Sequence, residues 1–314
     1  MTKRILISGL GGSLFPYLNY KLVEKNYEIY YVDSNSELKY IYPNLNLFES
    51  PLVTDEKYFN FVLDVIKKNK IEIYIPLIDE ELIIAKSIGD IVKNIKVLTP
   101  NRHFIELCLD KFLLMQKLNK LGVSETSFYL ESNFNWEIPA PIFVKPNKGR
   151  GSRGIRKIYN KIQLEAYKQE NKINEDILIQ PIFEGVEYTV GVITNINNKI
   201  LSISPKRVIK KDRVTINAVT ENNPIIYKLV KKIIKLLNPM GPFNMQLFLT
   251  KGNIPIVFEI NPRFSTTSIL SMEAGIDEID LLINNYDSKD VKLNHAKEGV
   301  YLYRTWKNNF YKKY

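Results

Sequence analysis

A lysine that ends an apolar run and is followed at once by glycines and basic residues suits phosphate chemistry, and Ile142 to Gly154 (IFVKPNKGRGSRG) has this form. Glycines let backbone amides approach phosphate oxygens, and Lys145 adds a point charge. The segment is not a Walker loop, because it lacks G-x-x-x-x-G-K-[ST] and leads into a strand. A flexible basic hairpin without a ligand is the plain alternative. A second stretch, Asp176 to Val190 (DILIQPIFEGVEYTV), closes one apolar strand with Gln180-Pro181-Ile182 and opens the next with Glu187. A hinge backbone here offers a donor and an acceptor to the edge of an adenine. Glu187 could serve ribose hydroxyls, although a lone acid at a strand start is more often simply solvated.

The most specific pattern lies further on, in NMQLFL from Asn244 to Leu249 and VFEINPRFS from Val257 to Ser265. In a hairpin, Gln246, Glu259 and Asn261 lie on one face, the last two by the two-residue period of a strand. One carboxylate with two amides suits magnesium, which takes oxygen ligands and keeps several positions for water and substrate phosphates.

The elements that must carry these residues read as two kinds of layer. Arg4 to Ser8, Glu28 to Val32, Ile71 to Leu77 and Ile95 to Thr99 are expected strands, alternating with helical stretches at Phe15 to Lys25, Lys57 to Lys68 and Glu80 to Ser87. This alternation means βαβ units and a parallel, Rossmann-like sheet. A helix from Lys111 to Leu121, ended by Gly122, leads into a small layer: strands Ile142 to Lys145, Gly154 to Ile158 and Asp176 to Gln180, with a helix at Lys161 to Gln169. Antiparallel strands follow at Tyr188 to Thr194 and Lys199 to Ser204, then a helix at Ile225 to Leu237 and a hairpin of Phe243 to Thr250 with Ile254 to Ile260.

Near the N-terminus, Gly9-Leu10-Gly11-Gly12-Ser13 follows a strand, and Asp33 ends the next strand where a ribose-binding acid would sit. The third glycine of a dinucleotide fingerprint would fall at Leu14, so the fingerprint is incomplete. A tight turn, an anion contact at the helix start and a nicotinamide site all remain open here. The net charge of +10 invites nucleic acid, but lysines such as Lys67, Lys68, Lys231 and Lys232 are scattered along helices, which reads as a solvated basic face. The single cysteine, Cys108, excludes an internal disulfide; His103 and His295 adjoin none of these segments, leaving little support for a histidine metal site or triad. The start of the chain lacks signal-peptide chemistry and no run approaches about 20 apolar residues, so a cytoplasmic, non-membrane setting is expected.

Taken together, the three chemical segments in this order and spacing resemble the ATP-grasp superfamily, most closely the ATP-binding halves of the carbamoyl phosphate synthetase large chain. The resemblance implies an α/β and α+β protein. Residues 1–110 would form a Rossmann-like layer, 111–185 a small lobe with the glycine-rich loop, and 186–314 the C-terminal lobe of the ATP-grasp fold. It implies that Lys111 and Lys145 contact nucleotide phosphates, with Gly149, Gly151, Ser152 and Gly154 in the covering loop. Gln180 stands where the family often has glutamate at the adenine hinge, with Pro181 and Ile182 following, and Glu187 falls at the ribose position. Gln246, Glu259 and Asn261 match metal-binding positions, Gln246 also facing the nucleotide, and Arg263 matches the arginine facing the transferred phosphoryl group. The acceptor pocket would be bounded by Gly11, Gly12, Asp79, Glu80, Arg207, Arg263 and Ser265.

The activity implied is ATP-dependent activation of a carboxylate as an acyl phosphate, captured by an amine or thiol. The cofactor set is ATP with Mg2+, or with Mn2+. A small-molecule phosphotransferase and a non-catalytic ATP-binding regulator are the alternatives, and a homodimer is left open. Two departures concern the substrate: the basic stretch Ser204 to Thr215 lacks the glycine expected of many relatives, and Ser265-Thr266-Thr267-Ser268 lacks a second arginine after N-P-R.

Overall fold

The computed structural model describes residues 2–10, 12–149, 151, 154–171 and 176–312. Strands β1 (Arg4–Ser8), β2 (Glu28–Asp33), β3 (Asn46–Glu49), β4 (Ile73–Ile75) and β5 (Lys96–Val97) form a five-stranded sheet in the order β3-β2-β1-β4-β5. All its pairings are parallel. Strand β3 is a short, polar edge element with both end residues exposed, too weak a pattern to read from sequence. The second sheet, β6 (Tyr129–Leu130), β7 (Ile142–Pro146), β8 (Arg156–Ile158) and β9 (Ile177–Pro181), is antiparallel in the order β6-β9-β7-β8. Ile142, Val144, Ile158, Ile177 and Ile179 bury one face of it against Leu164 and Tyr167 of the helix Lys161–Asn171.

The third sheet has six antiparallel strands: β10 (Val186–Thr194), β11 (Ile200–Asp212), β12 (Val214–Thr220), β13 (Pro242–Leu249), β14 (Pro255–Asn261) and β15 (Tyr301–Tyr303), ordered β14-β13-β10-β11-β12-β15. The basic stretch from Ser204, which the sequence suggests is a connection, is the body of β11 and its turn into β12. One face of this sheet buries Tyr188, Val190, Met245, Leu247, Val257 and Ile260 against the helices Arg102–Leu109, Lys111–Lys120 and Pro224–Leu237. The last of these is specified locally at both ends. Asn223 accepts hydrogen bonds from the Ile225 and Ile226 amides, Pro224 sits at the first position, and Asn238 closes it in the left-handed region. Between the caps, Ile226, Val230, Ile233 and Leu237 recur at helical spacing on the buried side.

The parallel layer and the C-terminal segments share a core. Leu10, Phe15 and Leu18 pack in one cluster with Phe264, Ile269, Ile279 and Ile283. Arg304, just after β15, ties three distant parts of the chain through backbone carbonyls: Nε donates to Thr215 at 2.9 Å, Nη1 to Ser13 at 2.7 Å and Nη2 to Thr266 at 2.6 Å. Among the described residues no helix is long and apolar enough to cross a membrane.

Candidate active site

The polar face of the six-stranded sheet begins with the pairing of β13 and β14. Gln246 lies directly opposite Glu259 and Asn244 opposite Asn261, so the expected trio shares one face. An extra residue, Phe258, bulges from β14 between Glu259 and Val257. Strict alternation would put Val257 on the polar face; the bulge returns it to the core and leaves Glu259 and Asn261 outside. Glu259 makes no hydrogen bond or ion pair among the described residues, and a half-buried carboxylate left so is apt for a cation. The donor set is one acid and two amides, in keeping with the lack of any cluster of three His, Cys, Asp or Glu among the described residues.

Lys145 enters from the four-stranded sheet. Val144 points into the small lobe's core, so Lys145 takes the opposite face, and its ammonium donates to the Phe258 carbonyl at 3.1 Å. Burial pushes its pKa down to about 8, against the pull of Glu259 and with further lowering from Lys111 and Lys211. Gln180, paired with Phe143, shares that face and is buried.

Lys111 opens its helix after the cap Asp110, whose side chain accepts from the Leu113 amide. Its ammonium donates to the carbonyls of Gly149 at 2.7 Å and Asn147 at 3.3 Å, so it braces the start of the glycine-rich loop. Asn147 completes the brace by accepting from the Phe112 amide and donating to Asp110. Gly154 closes the loop against Pro146, while Ser152 lies outside the described residues, as does Gly11.

Beyond Asn261 the chain turns toward the parallel layer. Arg263 makes a bidentate pair with Asp79, with both contacts at 2.8 Å. Burial opposes the guanidinium's charge, but Asp79 together with Glu259 and Glu80 raises the pKa. Asp79 is buried in the turn after β4, next to Glu80, whose charge also reaches Arg263. Three residues read from the sequence as acceptor contacts sit otherwise. Arg207 lies opposite Tyr188 while its neighbour Lys206 lies opposite Thr189, so Arg207 faces away from Gln246 and pairs with Glu221 at 2.8 Å. Ser265 is buried and its hydroxyl is engaged with Thr267. The Gly12 amide is spent on the Gly9 carbonyl, and the helix begins only at Tyr17.

Sequence reasoning overlooked two groups. Lys211, from the far end of β11, donates to Glu187 at 2.6 Å and to Gln246 at 3.0 Å. Alternation from Lys206 would turn Lys211 away; two register shifts between Val208 and Lys211 accompany its return. Glu81 is fully buried, accepting from Ser8, Tyr58 and Tyr74, and the Leu77 amide donates to that same Ser8. It ties the end of β1 to the Asp79 turn. A carboxyl in an acidic DEE run gives no signal of burial in sequence.

Comparison with known proteins bears on the family and the fold. The ATP-grasp domain profile matches residues 108–267, just over half of the chain. The carbamoyl phosphate synthase large chain of Clostridium acetobutylicum is 26% identical over 260 residues, covering 77% of this chain and 24% of that protein. A D-alanine–D-alanine ligase of Flavobacterium johnsoniae is 28% identical over 172 residues, 47% of this chain and 52% of that protein. The chain thus spans a quarter to a half of these curated relatives. Among solved structures, the biotin carboxylase domain of the Hydrogenobacter thermophilus 2-oxoglutarate carboxylase, in complex with MgADP, ADP and bicarbonate, superposes with a TM-score of 0.77. At 18% identity it covers 96% of this chain and 73% of that one, a likeness of fold.

Proposed function

Because this chain belongs to the ATP-grasp family, we propose that it binds MgATP between the four- and six-stranded sheets, activates a small carboxylate as an acyl phosphate, and passes the acyl group to an amine. The reading rests above all on Lys145, whose desolvated ammonium bridges the two sheets beside Glu259, which has no hydrogen-bond or ion-pair partner among the described residues. Phosphoryl transfer asks a protein for positioning and charge neutralisation rather than covalent chemistry. Lys145 and Lys111 would neutralise phosphate oxygens, Gln180 would face the adenine, and Glu187 the ribose. Gln246, Glu259 and Asn261 would hold a magnesium ion, which would offset further triphosphate charge. Arg263, oriented by Asp79, would stabilise the equatorial oxygens of the moving phosphoryl group. The acid would enter from the rim beside the Asp79 turn, at the carboxyl edge of the parallel sheet where such layers bind ligands.

The relatives' names point to carboxylates joined to nucleophiles and leave both partners of this chain to experiment. A panel of small acids incubated with MgATP and hydroxylamine should yield ADP and a hydroxamate together for the true acid. Phosphate retained on a stable product would instead make the protein a phosphotransferase. ADP release independent of every acid would remove the carboxylate from the scheme, and no ADP with any acid would favour a regulator.

A further inference from the structure

We propose that Lys211 is a resident cation of the nucleotide site that makes it select a triphosphate over a bare nucleoside; this rests on the nucleotide reading above. Without a ligand, the Lys211 ammonium holds both Glu187, at 2.6 Å, and Gln246, at 3.0 Å. It lies over the Phe258 ring, 5.6 Å from the centroid, and Lys145 lies over the same ring at 5.5 Å. A ribose that bonds to Glu187 therefore competes with an ion pair for the carboxylate, and a nucleoside brings nothing to compensate a displaced ammonium. A triphosphate does, since it offers anionic oxygens within reach of a side chain on the same face.

The local structure suits such an exchange. Lys211 stands one residue from the end of β11, beside Asp212 and the turn at Arg213, where register shifts interrupt the ladder. Its side chain is 30% exposed, whereas Glu187 is 18% exposed, so the lysine is the less enclosed member of the pair. The buried ammonium of Lys206, by contrast, is fixed between Glu278 and Gly191 and has no such freedom.

The test uses adenosine and MgATP, titrated calorimetrically into the parent protein and into Lys211→Met. Loss of the cation should tighten adenosine by roughly 3- to 10-fold by freeing Glu187, and weaken MgATP by roughly 10-fold, the scale of one charge-assisted contact. The two affinities move in opposite directions. Lys211→Arg should hold MgATP near the parent value, and in a Glu187→Gln background the Met variant should no longer tighten adenosine. Equal weakening of both ligands, or no change in either, would overturn the proposal while leaving the nucleotide site intact. A parent protein that binds neither ligand would instead refute the nucleotide reading and this inference together.

Discussion

At the scale of single residues, two buried ionisable groups give the clearest expectations. Lys145 releases its proton near pH 8 in the folded chain but holds it to about 10.5 when unfolded. The group therefore destabilises the unliganded fold below pH 8, and that cost disappears as pH rises toward 10.5. A triphosphate needs the ammonium, so MgATP affinity should fall as pH rises through 8, with proton uptake on binding near that pH. Calorimetry in two buffers of different ionisation enthalpy reads both, and Lys145→Met should abolish the uptake and weaken binding by about 10-fold or more. Glu81 behaves oppositely: burial raises its carboxyl to about 7, against hydrogen bonds from Ser8 and Tyr58 that lower it. The folded chain keeps this proton where the unfolded chain has lost it, so its contribution to stability is complete below pH 4.5 and is lost as pH rises through 7. Glu81→Gln should flatten the pH dependence of the unfolding free energy between those values, read by urea titration, by an amount on the order of a kcal/mol or more. An unchanged slope would mean that Glu81 does not titrate there. The shared face of Gln246, Glu259 and Asn261 and the place of Lys145 ahead of the loop were legible in sequence because strand parity and a glycine-rich segment fix them. Lys211 and Glu81 were not, because one depends on irregular register and the other on burial from distant tyrosines.

At the scale of elements, the sequence pattern was reliable wherever an apolar period ran uninterrupted. The helix Pro224–Leu237 and the hairpin of β13 and β14 lie within a residue or two of their expected bounds. Boundaries failed where polarity hid pairing: β11 continues eight residues past Ser204, to Asp212, although its last part is basic and exposed. Arg207 fell on the wrong face for the same reason, since an unpaired stretch carries no parity. The link from β9 to β10 is more constrained than its sequence suggests. Gly185 has φ +144, and a Cβ there would lie 2.3 Å from the Leu249 carbonyl oxygen. Gly185→Ala should therefore cost about 2 kcal/mol or more, read as a lower denaturation midpoint, because backbone cannot move aside as a side chain can. A variant of parental stability would show that this hinge yields freely.

For the whole molecule, the division into a Rossmann-like layer and two lobes describes the sheets better than it describes the packing. The helix Arg102–Leu109 precedes residue 111 yet buries Phe104 and Cys108 against the six-stranded sheet, and Leu10 and Phe15 share a cluster with Ile269 and Ile279. Long-range burial of this kind has no local signature. A fragment of residues 1–110 should consequently expose an apolar face, bind a hydrophobic dye and unfold without a sharp transition. Cooperative melting of that fragment would show the first layer to be an independent domain. The clasp made by Arg304 adds an order in time. Its bond to Ser13 joins residues 291 positions apart. With synthesis at about 5 to 20 residues per second, the nascent parallel layer waits on the order of 15 to 60 s for the guanidinium that closes it. For most of that interval Leu10 and Phe15 lack their C-terminal partners, from Phe264 to Ile283, and the emerging chain is most open to chaperones and to aggregation while its first third is already made.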